Sequence, residues 1–549
     1  MKKKLNKVRE RGYVKKGPVK SLIRFFAVPK GMNDIRMVHD STASGFNDSV
    51  WVPSFDLPTV ETLLQGTGPK SWMVDLDIGD MFLNFMLAED ARELVGIDVS
   101  LYFNEDRKKG EFNRVKWERW VRCAMGLKIS PNHAIRAVIF AKEFLKGDPS
   151  QLDNPFCYKS VELNLPGTET YDPTLSWFRV MDHNDQLAAI LAIYVDDERV
   201  HCSSEDLAWK AAHQIATRES YLGIQDAARK RRQPSQNAGA WAGSIVRTND
   251  TEVGILVSEE RWTKTRQMIR KWVDKLRKDQ YQKLDLKELV SDRGFLIYVT
   301  RTYKPMVLYL KGIHLTIDGW RKNRDTDGWK HITRYLAGED TSPFLESEDE
   351  YPDFVCPVPR LRSDLEALVK LTESVTAPIV IVQSSRIYVV KYGFGDASGG
   401  GFGSSLTSPN GVEIHIGTWN EKSSGTSSNL REMANFVVRL ELEASMGKLE
   451  GVEVFLFTDN STTEAAFFNG TTSSKTLFDL VLRLKDLQMK FSAKIHLIHV
   501  AGSRMIEQGT DGISRGNLME GVMTGKSMLS FVPIHLTAIE RSKSLLRWI

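Results

Sequence analysis

Two stretches of the sequence carry carboxylates at the spacing expected of a metal-binding site. Asp196 and Asp197 follow the apolar run 187–193, and Asp77 closes a shorter apolar run that begins at Met73. Both runs have the length of strands, so we expect Asp77 and Asp196 to face each other from neighbouring strand ends. Carboxylates placed in this way hold the two hard cations of phosphoryl transfer. By itself, the Asp-Asp pair fits a surface turn equally well, because Asp favours turns.

A second set of acids lies toward the end of the sequence. Asp396 stands in a Gly-rich hairpin after a strand, Glu432 opens a helix, Asp459 ends a strand, and Asp511 follows the last strand. Singly, Asp459 and Asp511 fit helix capping or turns. Together, four acids at strand and helix ends can hold divalent ions that activate a water molecule.

The segments that carry these acids predict a mixed α/β protein. Residues 21–205 alternate short β-like runs with helical stretches, and 261–276 places apolar residues at helical spacing between basic ones. Residues 339–360 are acidic and contain proline, which is typical of a linker. Beyond the linker, strands are predicted at 387–394, 413–419, 452–458 and 495–500, and helices at 430–448 and 476–490.

Length and composition fit a folded multidomain protein of a reducing compartment. The 549 residues, 42% hydrophobic and 26% charged, predict about three or four domains and exclude a disordered or fibrous chain. Four cysteines without a CxxC pair argue against a disulfide scaffold and favour an intracellular location, in the cytoplasm or nucleus. No apolar run approaches the roughly 18 residues that span a bilayer, so no membrane partner is expected. The Lys-rich N-terminus also lacks the apolar stretch of a signal peptide.

The basic residues are concentrated in three segments although the net charge is only +4. Residues 1–20 carry nine Lys or Arg against one acid, and the run 229–232 and the stretch 261–278 are also basic. Each segment alone is typical of a solvated surface. Because the acids gather elsewhere, as in 346–353, the three segments together favour a polyanionic partner.

In order and spacing, segments over about 220 residues resemble a reverse transcriptase. Residues 27–30 and 34–40, with Asn47, are similar to the fingers strand, and residues 77–82 are similar to the first catalytic motif. Residues 125–131 resemble the helix start that contacts template and nucleotide, and Tyr194-Val195-Asp196-Asp197 resembles the catalytic turn. The later palm and the primer grip are matched by Leu222-Gly223, Lys230 and Trp241-Ala242-Gly243.

The resemblance implies a metal site in the palm. Asp77 and Asp196 would hold two Mg²⁺ or Mn²⁺ ions, with Asp197 beside them and the carbonyl of Ile78 completing the coordination.

The same resemblance implies roles in substrate binding. Lys30 and Arg36 supply charge for the triphosphate of the incoming dNTP. The ring of Phe82 would clash with a 2′-hydroxyl and select deoxynucleotides, or it is simply an apolar palm residue. Lys230 is the implied proton donor to pyrophosphate, although its basic neighbours could serve instead. The remaining implied substrate-binding residues are Asp80, Met125, Gly126, Trp241 and Gly243.

Residues 386–516 resemble the ribonuclease H fold. In that family four carboxylates hold two divalent ions, and the matching positions are Asp396, Glu432, Asp459 and Asp511. The ions activate water against an RNA phosphodiester.

The two resemblances together imply a right-hand polymerase followed by a ribonuclease H-like α/β domain. The expected domains are a basic tail at 1–20, fingers and palm at 21–255, a helical thumb and connection at 256–345, a linker at 346–385, a nuclease domain at 386–517 and an extension at 518–549. The expected partners are an RNA template, a DNA primer, an RNA–DNA hybrid and dNTPs.

This domain order is similar to the pol region of a retrotransposon, of the gypsy type or a tyrosine-recombinase element. Two alternatives remain open. A domesticated, catalytically weak copy would bind nucleic acid without copying it. An RNA-dependent RNA polymerase shares the palm, but neither Phe82 nor a nuclease domain would then make sense.

Overall fold

The computed structural model describes residues 1–30, 32, 34–53, 57–64, 66–103, 116–164, 172, 178–278, 283–322, 324–330, 351–384, 389–408 and 410–520. The chain forms two compact units. The first unit comprises residues 1–58, 71–160 and 180–242, and the second comprises 59–70, 161–179 and the chain from 243 onward. The predicted mixed α/β class is confirmed.

Short strands and two long helices make up the part of the chain before residue 243. Its strands are β1 (Val14–Lys15), β2 (Arg24–Lys30), β3 (Asp34–Asp40), β4 (Trp72–Asp77), β5 (Gly96–Asp98), β6 (Trp117–Trp120), β7 (Ser160–Leu163), β8 (Phe178–Met181), β9 (Ile190–Tyr194), β10 (Asp197–Cys202) and β11 (Gly239–Trp241). Its helices are α1 (Lys2–Glu10), α2 (Phe46–Ser49), α3 (Val60–Leu63), α4 (Glu89–Arg92), α5 (Ser100–Phe103), α6 (Ile129–Lys146) and α7 (Glu205–Tyr221).

The first unit contains an antiparallel sheet in the order β4-β10-β9. Successive side chains of a strand point to opposite faces. Val74, Leu76 and Val200 point to the face on which α7 packs its alanine-rich side, and this contact forms a core cluster. The opposite face carries the acids at the ends of β4 and β10.

The N-terminal segment predicted as a basic tail is instead a helix and a strand of the first unit. In α1, Leu5 and Val8 are buried in a core cluster that also contains Tyr13 and Trp120. Residue 14 and residue 15 form β1, which pairs with β6. The prediction was wrong because the cations of this segment form the polar face of an amphipathic helix, whose apolar residues are few but correctly spaced.

Longer helices and a five-stranded sheet make up the chain after residue 243. Its strands are β12 (Ser244–Thr248), β13 (Glu252–Leu256), β14 (Leu284–Asp285), β15 (Phe354–Val355), β16 (Val380–Ser384), β17 (Val389–Ala397), β18 (Gly401–Ser408), β19 (Gly411–Thr418), β20 (Val452–Thr458) and β21 (Lys494–His499). Its helices are α8 (Glu259–Lys278), α9 (Leu286–Thr300), α10 (Lys311–Asp318), α11 (Arg360–Leu371), α12 (Glu421–Ser424), α13 (Ser428–Ser445), α14 (Ser461–Asn469), α15 (Lys475–Lys490), α16 (Gly502–Glu507) and α17 (Thr510–Ser514).

The five-stranded sheet has the order β19-β18-β17-β20-β21, in which β20 is parallel to both of its neighbours. Val454 and Leu456 of β20 point to the face covered by α13 and α15, and Phe455 and Phe457 point to a smaller cluster on the other face. The predicted strand 452–458 and the predicted helices 430–448 and 476–490 are confirmed within a few residues.

The core of this sheet continues into the helices that precede it. One cluster of buried side chains extends from Leu256 and Trp262 of the helical region to Phe478 and Leu497 of the sheet region. Tyr309 donates a hydrogen bond to Asp486 of α15 at 2.7 Å. The nuclease-like segment therefore shares its core with the helices that precede it.

The predicted linker contains regular structure in its described part. Residues 360–371 form α11, which packs against α8 and α10, and residues 380–384 form β16, which pairs with β13. The linker prediction was wrong there because acids and prolines near residue 350 masked the apolar residues Leu361, Leu365 and Leu368, which are buried. Residues 346–350 and the predicted extension beyond residue 520 lie outside the described residues.

Within the described ranges, every helix is too short or too polar to cross a bilayer.

The packing of α1 gives a test of the fold. Leu5 is 1% exposed, so Leu5→Ala should lower the free energy of unfolding of the first unit by about 2 to 5 kcal/mol through lost burial and a cavity. Urea unfolding together with amide hydrogen exchange in 2–15 measures this loss. Lys3→Ala, at an exposed position of the same helix, is the matched control. Equal stability of both variants would restore the tail interpretation.

Candidate metal-binding sites

The first group of acids is positioned by the register of the β4-β10-β9 sheet. Asp77, the last residue of β4, lies directly opposite Asp197, the first residue of β10. Asp196 belongs to the turn between β9 and β10, and its carbonyl accepts a hydrogen bond from the backbone N–H of Ile78 at 2.9 Å. In the same turn Val195 has φ of 58°, which is a strained conformation for a β-branched residue. The sheet therefore brings all three predicted acids to one edge.

A lysine contacts the first of these acids. The ammonium of Lys230 lies 2.5 Å from Oδ2 of Asp77. Its turn is fixed on β4, because the N–H of Ala227 donates to the Asp77 carbonyl at 2.9 Å. The neighbouring Arg231 forms an ion pair with Asp226. Of these two neighbouring cations, Lys230 therefore contacts Asp77, whereas Arg231 is paired with Asp226.

The electrostatics of this site favour added positive charge. Burial raises the pKa of Asp197 to about 6, and the charges of Asp196 and Asp77 add to the effect. Burial also raises the pKa of Asp196, against which Lys230 and Arg36 act in the opposite direction. Clustered carboxylate oxygens that resist ionisation are the donor set that Mg²⁺ or Mn²⁺ satisfies, so the residues fit such ions.

The predicted triphosphate-binding residues lie on the hairpin β2–β3. Lys30 and Arg36 are exposed there. The positive charge of Arg36 acts to lower the pKa of Asp196.

The first residues of the segment 125–131, predicted as a helix start, form a turn that is fixed on β3. The carbonyl of Met125 accepts a hydrogen bond from the backbone N–H of His39 at 3.1 Å. It also accepts one from Nδ1 of the His39 ring at 2.9 Å. Gly126 has φ of 103°, and a Cβ there would lie 2.0 Å from the His39 carbonyl oxygen, so only glycine fits. Asn47 bridges the turn by donating to the Gly126 carbonyl at 3.0 Å and accepting from the N–H of Lys128 at 2.8 Å.

The turn after Asp77 holds two further predicted residues. Asp80 has φ of 48° and precedes a short 3₁₀-helix, Met81–Asn84. The side chain of Asn84 donates to the carbonyls of Gly79 and Met81, both at 3.1 Å. Phe82 is half-buried, with part of its ring packed on two core clusters. The packing accounts for its position, and its role against a 2′-hydroxyl stays a prediction.

The two named residues of the predicted primer grip fall in different units. Trp241 is 4% exposed and belongs to the first unit. Gly243 belongs to the second, where its φ is 86°, and a Cβ would lie 2.1 Å from the hydroxyl of Tyr298. The carbonyl of Gly243 accepts a hydrogen bond from Arg261 at 2.6 Å.

The second group of acids forms a compact triad. Asp396 lies in β17, Glu432 in the first turns of α13, and Asp459 directly after β20. Ligand atoms of these three side chains lie within 4.8 Å of one another, and no other trio of metal-ligating residues in the described ranges does so. The acids of the first site, Asp77, Asp196 and Asp197, do not form such a group within the described residues.

Hydrogen bonds fix the triad. Glu432 accepts from the hydroxyl of Thr458 at 3.0 Å and from the side-chain amide of Asn460 at 3.0 Å. Ser514 donates to Oδ2 of Asp396 at 2.7 Å. Burial raises the pKa of all three acids, that of Glu432 to about 7. The donor set again fits Mg²⁺ or Mn²⁺.

The fourth predicted acid, Asp511, lies near the triad but outside it. Its charge contributes to the raised pKa of Asp396 and Asp459, and its carboxylate is paired with Arg515 at 2.7 Å.

Several residues near the sites were not predicted from the sequence. They are Asp75 and Arg199 beside the first site, and Thr458, Asn460, His499 and Ser514 beside the second, where His499 Nε2 bonds the carbonyl of Asp459 at 3.0 Å. A signal for the first pair was present. Asp75 stands two residues before Asp77, and Arg199 two residues after Asp197, so facing strands bring them together.

Comparison with known proteins finds likeness at the level of structure. No protein-family model matches the sequence, and no curated protein matches it. A foamy viral protease-reverse transcriptase dRH in complex with double-stranded DNA has a TM-score of 0.39 and 12% identity over 89% of this chain and 67% of that chain. The foamy viral protease-reverse transcriptase with an RNA/DNA hybrid has a TM-score of 0.38 and 13% identity over 90% of this chain. This chain spans 52% of the length of that protein.

The buried Glu432 gives a test by pH. Its folded-state pKa of about 7 lies above its usual value of 4.5, so the folded metal-free protein holds the proton longer than the unfolded chain. The stabilisation is therefore complete below pH 4.5 and is lost as the pH rises through 7. Relative to Glu432→Gln, the wild type should lose about 3 kcal/mol of unfolding free energy across this window.

Urea unfolding of the metal-free proteins from pH 4 to 8 provides the measurement. Glu450→Gln, at an exposed position, is the control and should follow the wild type. Excess Mg²⁺ should flatten the wild-type profile, because a bound cation favours the ionised carboxylate. Parallel profiles for wild type and Glu432→Gln would contradict the raised pKa.

Proposed function

We propose that this protein is an RNA-directed DNA polymerase that also cleaves the RNA strand of RNA–DNA hybrids. The observation that carries the proposal is the pair of acidic sites on separate sheets. Asp77, Asp196 and Asp197 meet at one sheet edge with Lys230, and Asp396, Glu432 and Asp459 meet on another sheet. Two-metal phosphoryl transfer needs such sites, and polymerisation and hybrid cleavage are successive steps of reverse transcription.

The residues of the first site have distinct tasks in nucleotidyl transfer. Bound Mg²⁺ or Mn²⁺ would activate the primer 3′-hydroxyl and offset the charge of the triphosphate. Arg36 and Lys30, exposed on one hairpin, bind triphosphate oxygens of the dNTP. The ammonium of Lys230 lies beside Asp77, which suits it to protonate the leaving pyrophosphate.

The residues of the second site hold their acids in fixed orientation. The hydrogen bonds from Thr458 and Asn460 keep both oxygens of Glu432 in place beside Asp396 and Asp459. A metal pair there would activate water against the RNA phosphodiester. The polar supports are pre-formed, so binding the cations requires little rearrangement of the chain.

Nucleic-acid partners are also consistent with the distribution of cations on α8. Lys271 and Lys275 are paired with Glu288 and Asp292 of α9 and contribute little to an external partner. The cations that face solvent on this helix are Lys264, Arg270, Arg277 and Lys278. They are suited to phosphates of the template–primer duplex. We further propose that the protein is the pol product of a gypsy-type or tyrosine-recombinase retroelement acting in the cytoplasm or nucleus.

One assay tests the proposal directly. Purified protein is given a poly(rA) template, an oligo(dT) primer, dTTP and Mg²⁺, and in parallel an end-labelled RNA hybridised to DNA. We expect primer extension and RNA cleavage, both abolished by EDTA. A protein that binds the hybrid but performs neither reaction would instead be the catalytically weak, reverse transcriptase-derived binding protein.

The two activities should be separable. Asp196→Asn should reduce extension by orders of magnitude, because one carboxylate of the metal site is lost, and should leave RNA cleavage intact. Asp459→Asn should have the reverse effect. Each variant is the control for the folding of the other. Extension by Asp196→Asn at the wild-type rate would remove the first site from the polymerase, and loss of both activities in Asp459→Asn would contradict their separation.

Phe82 gives a prediction about sugar selection. Phe82→Val should raise incorporation of rNTP relative to dNTP by at least tenfold, since a smaller side chain leaves room for the 2′-hydroxyl. Single-nucleotide extension with paired dTTP and UTP measures the ratio. The control is Phe85→Val on the same turn, a partly buried ring outside the proposed substrate residues. An unchanged ratio would leave Phe82 as core packing alone.

A further inference from the structure

The sheet face that carries the catalytic acids continues as a line of paired side chains. Asp77 lies opposite Asp197, Asp75 opposite Arg199, and Met73 opposite His201. Because alternate residues of a strand share a face, these three pairs follow one another on the same side of β4 and β10. Asp77 and Asp197 are therefore the first of three facing pairs along this side of the sheet.

Arg199, in the second of these pairs, is buried and held by two side-chain hydrogen bonds. Its side chain is 0% exposed, and its Nε and Nη2 donate to the two carboxylate oxygens of Asp75 at 2.5 Å and 3.0 Å. A guanidinium bound through two parallel hydrogen bonds has a fixed plane as well as a fixed position. The second pair, Asp75 and Arg199, therefore has a fixed geometry.

Trp241 packs against Arg199 of this second pair. The guanidinium carbon of Arg199 lies 5.3 Å from the centre of the indole ring, within the range of a cation–π contact. The ring of His201 meets the indole edge-on at 6.4 Å and 82°. The chain reaches this place by way of Ser235, which exchanges two backbone hydrogen bonds with Met73, both at 3.0 Å.

We propose that Arg199 and Asp75 are positioning residues that set the place of the primer 3′ end through Trp241. The inference rests on the proposed function and on the primer grip predicted from the sequence, to which Trp241 belongs. The ion pair fixes the indole two strand positions from Asp197, so the distance between the metal site and the primer-holding segment is set by stiff contacts. Lysine in place of Arg199 would keep the charge but not the flat, doubly bonded group.

If Asp75 and Arg199 only stabilise the fold, replacing both by apolar residues should leave primer extension unchanged. Replacing both residues therefore distinguishes a positioning role from a purely stabilising role. Buried ion pairs can often be replaced by apolar residues of similar volume without loss of stability, whereas removal of one partner is strongly destabilising. The double variant Asp75→Leu/Arg199→Met should therefore fold and fill the space under Trp241, but it lacks the planar cation. Arg199→Lys is the second, conservative variant.

A closely matched ion pair elsewhere in the first unit is the control. Arg9 donates to Glu118 through Nε at 2.9 Å and also through Nη2, and its guanidinium lies 3.4 Å from the centre of the Phe103 ring. This pair joins α1 to β6. The double variant Arg9→Met/Glu118→Leu removes the same chemistry from a place unconnected with Trp241.

The full-length variants are compared in primer extension on poly(rA)–oligo(dT), with kcat and the KM values for duplex and dTTP measured separately. For the Asp75/Arg199 exchange we expect kcat to fall at least tenfold and the duplex KM to rise, since a misplacement of about 1 Å can cost on the order of a hundredfold. The KM for dTTP and the RNA cleavage rate should stay unchanged, and Arg199→Lys should fall between. The Arg9/Glu118 exchange should match the wild type throughout.

Wild-type extension by a folded Asp75/Arg199 exchange would overturn the inference and leave the pair as a stabilising contact. If that exchange does not fold, wild-type kcat and duplex KM in Arg199→Lys would overturn it equally. Failure of the proposed function is recognised separately, because the wild type itself would then extend no primer.

Discussion

The register that places Asp77 of β4 opposite Asp197 of β10 is the constraint on which the first unit depends. It brings acids together whose charges repel, and burial makes their ionisation still harder, as the raised pKa of Asp197 reflects. The opposing contribution comes from the other face of the same sheet, where Val74, Leu76 and Val200 pack on α7. A shift of one residue would move the acids into that core, so apolar packing and the acid site specify the same register.

Both sites solve the problem of clustered acids with partners of a different kind. The first uses a cation, since Lys230 binds Asp77 directly. The second uses neutral donors, since Thr458 and Asn460 bind Glu432 and Ser514 binds Asp396. If a metal ion bound to Asp77, Lys230 would have to share or release that carboxylate. Neutral donors can stay in place, because each carboxylate oxygen accepts more than one bond.

Local pattern predicted much of the second unit and less of the first. Strand 452–458 and the helix that carries Glu432 follow from periodicity within a few residues, and Asp459 follows from the strand end. Three features did not. The helix α1 was hidden by its charge, α11 by acids and prolines nearby, and the pair of Asp75 and Arg199 by its dependence on register. Such a pair exists only after two segments more than a hundred residues apart have formed one sheet.

The basic segments illustrate why charge counted along a sequence overstates the charge available to a partner. In the first twenty residues, Lys4 is paired with Asp34 and Arg9 with Glu118. In α8, Lys271 and Lys275 are paired with acids of α9. A cation paired with a carboxylate of the same chain adds less net positive charge to the surface, and a polyanion must compete with that carboxylate to reach it. The field around the protein is therefore set by those cations that project from the fold, and their arrangement is a property of the helices and strands rather than of the charge run.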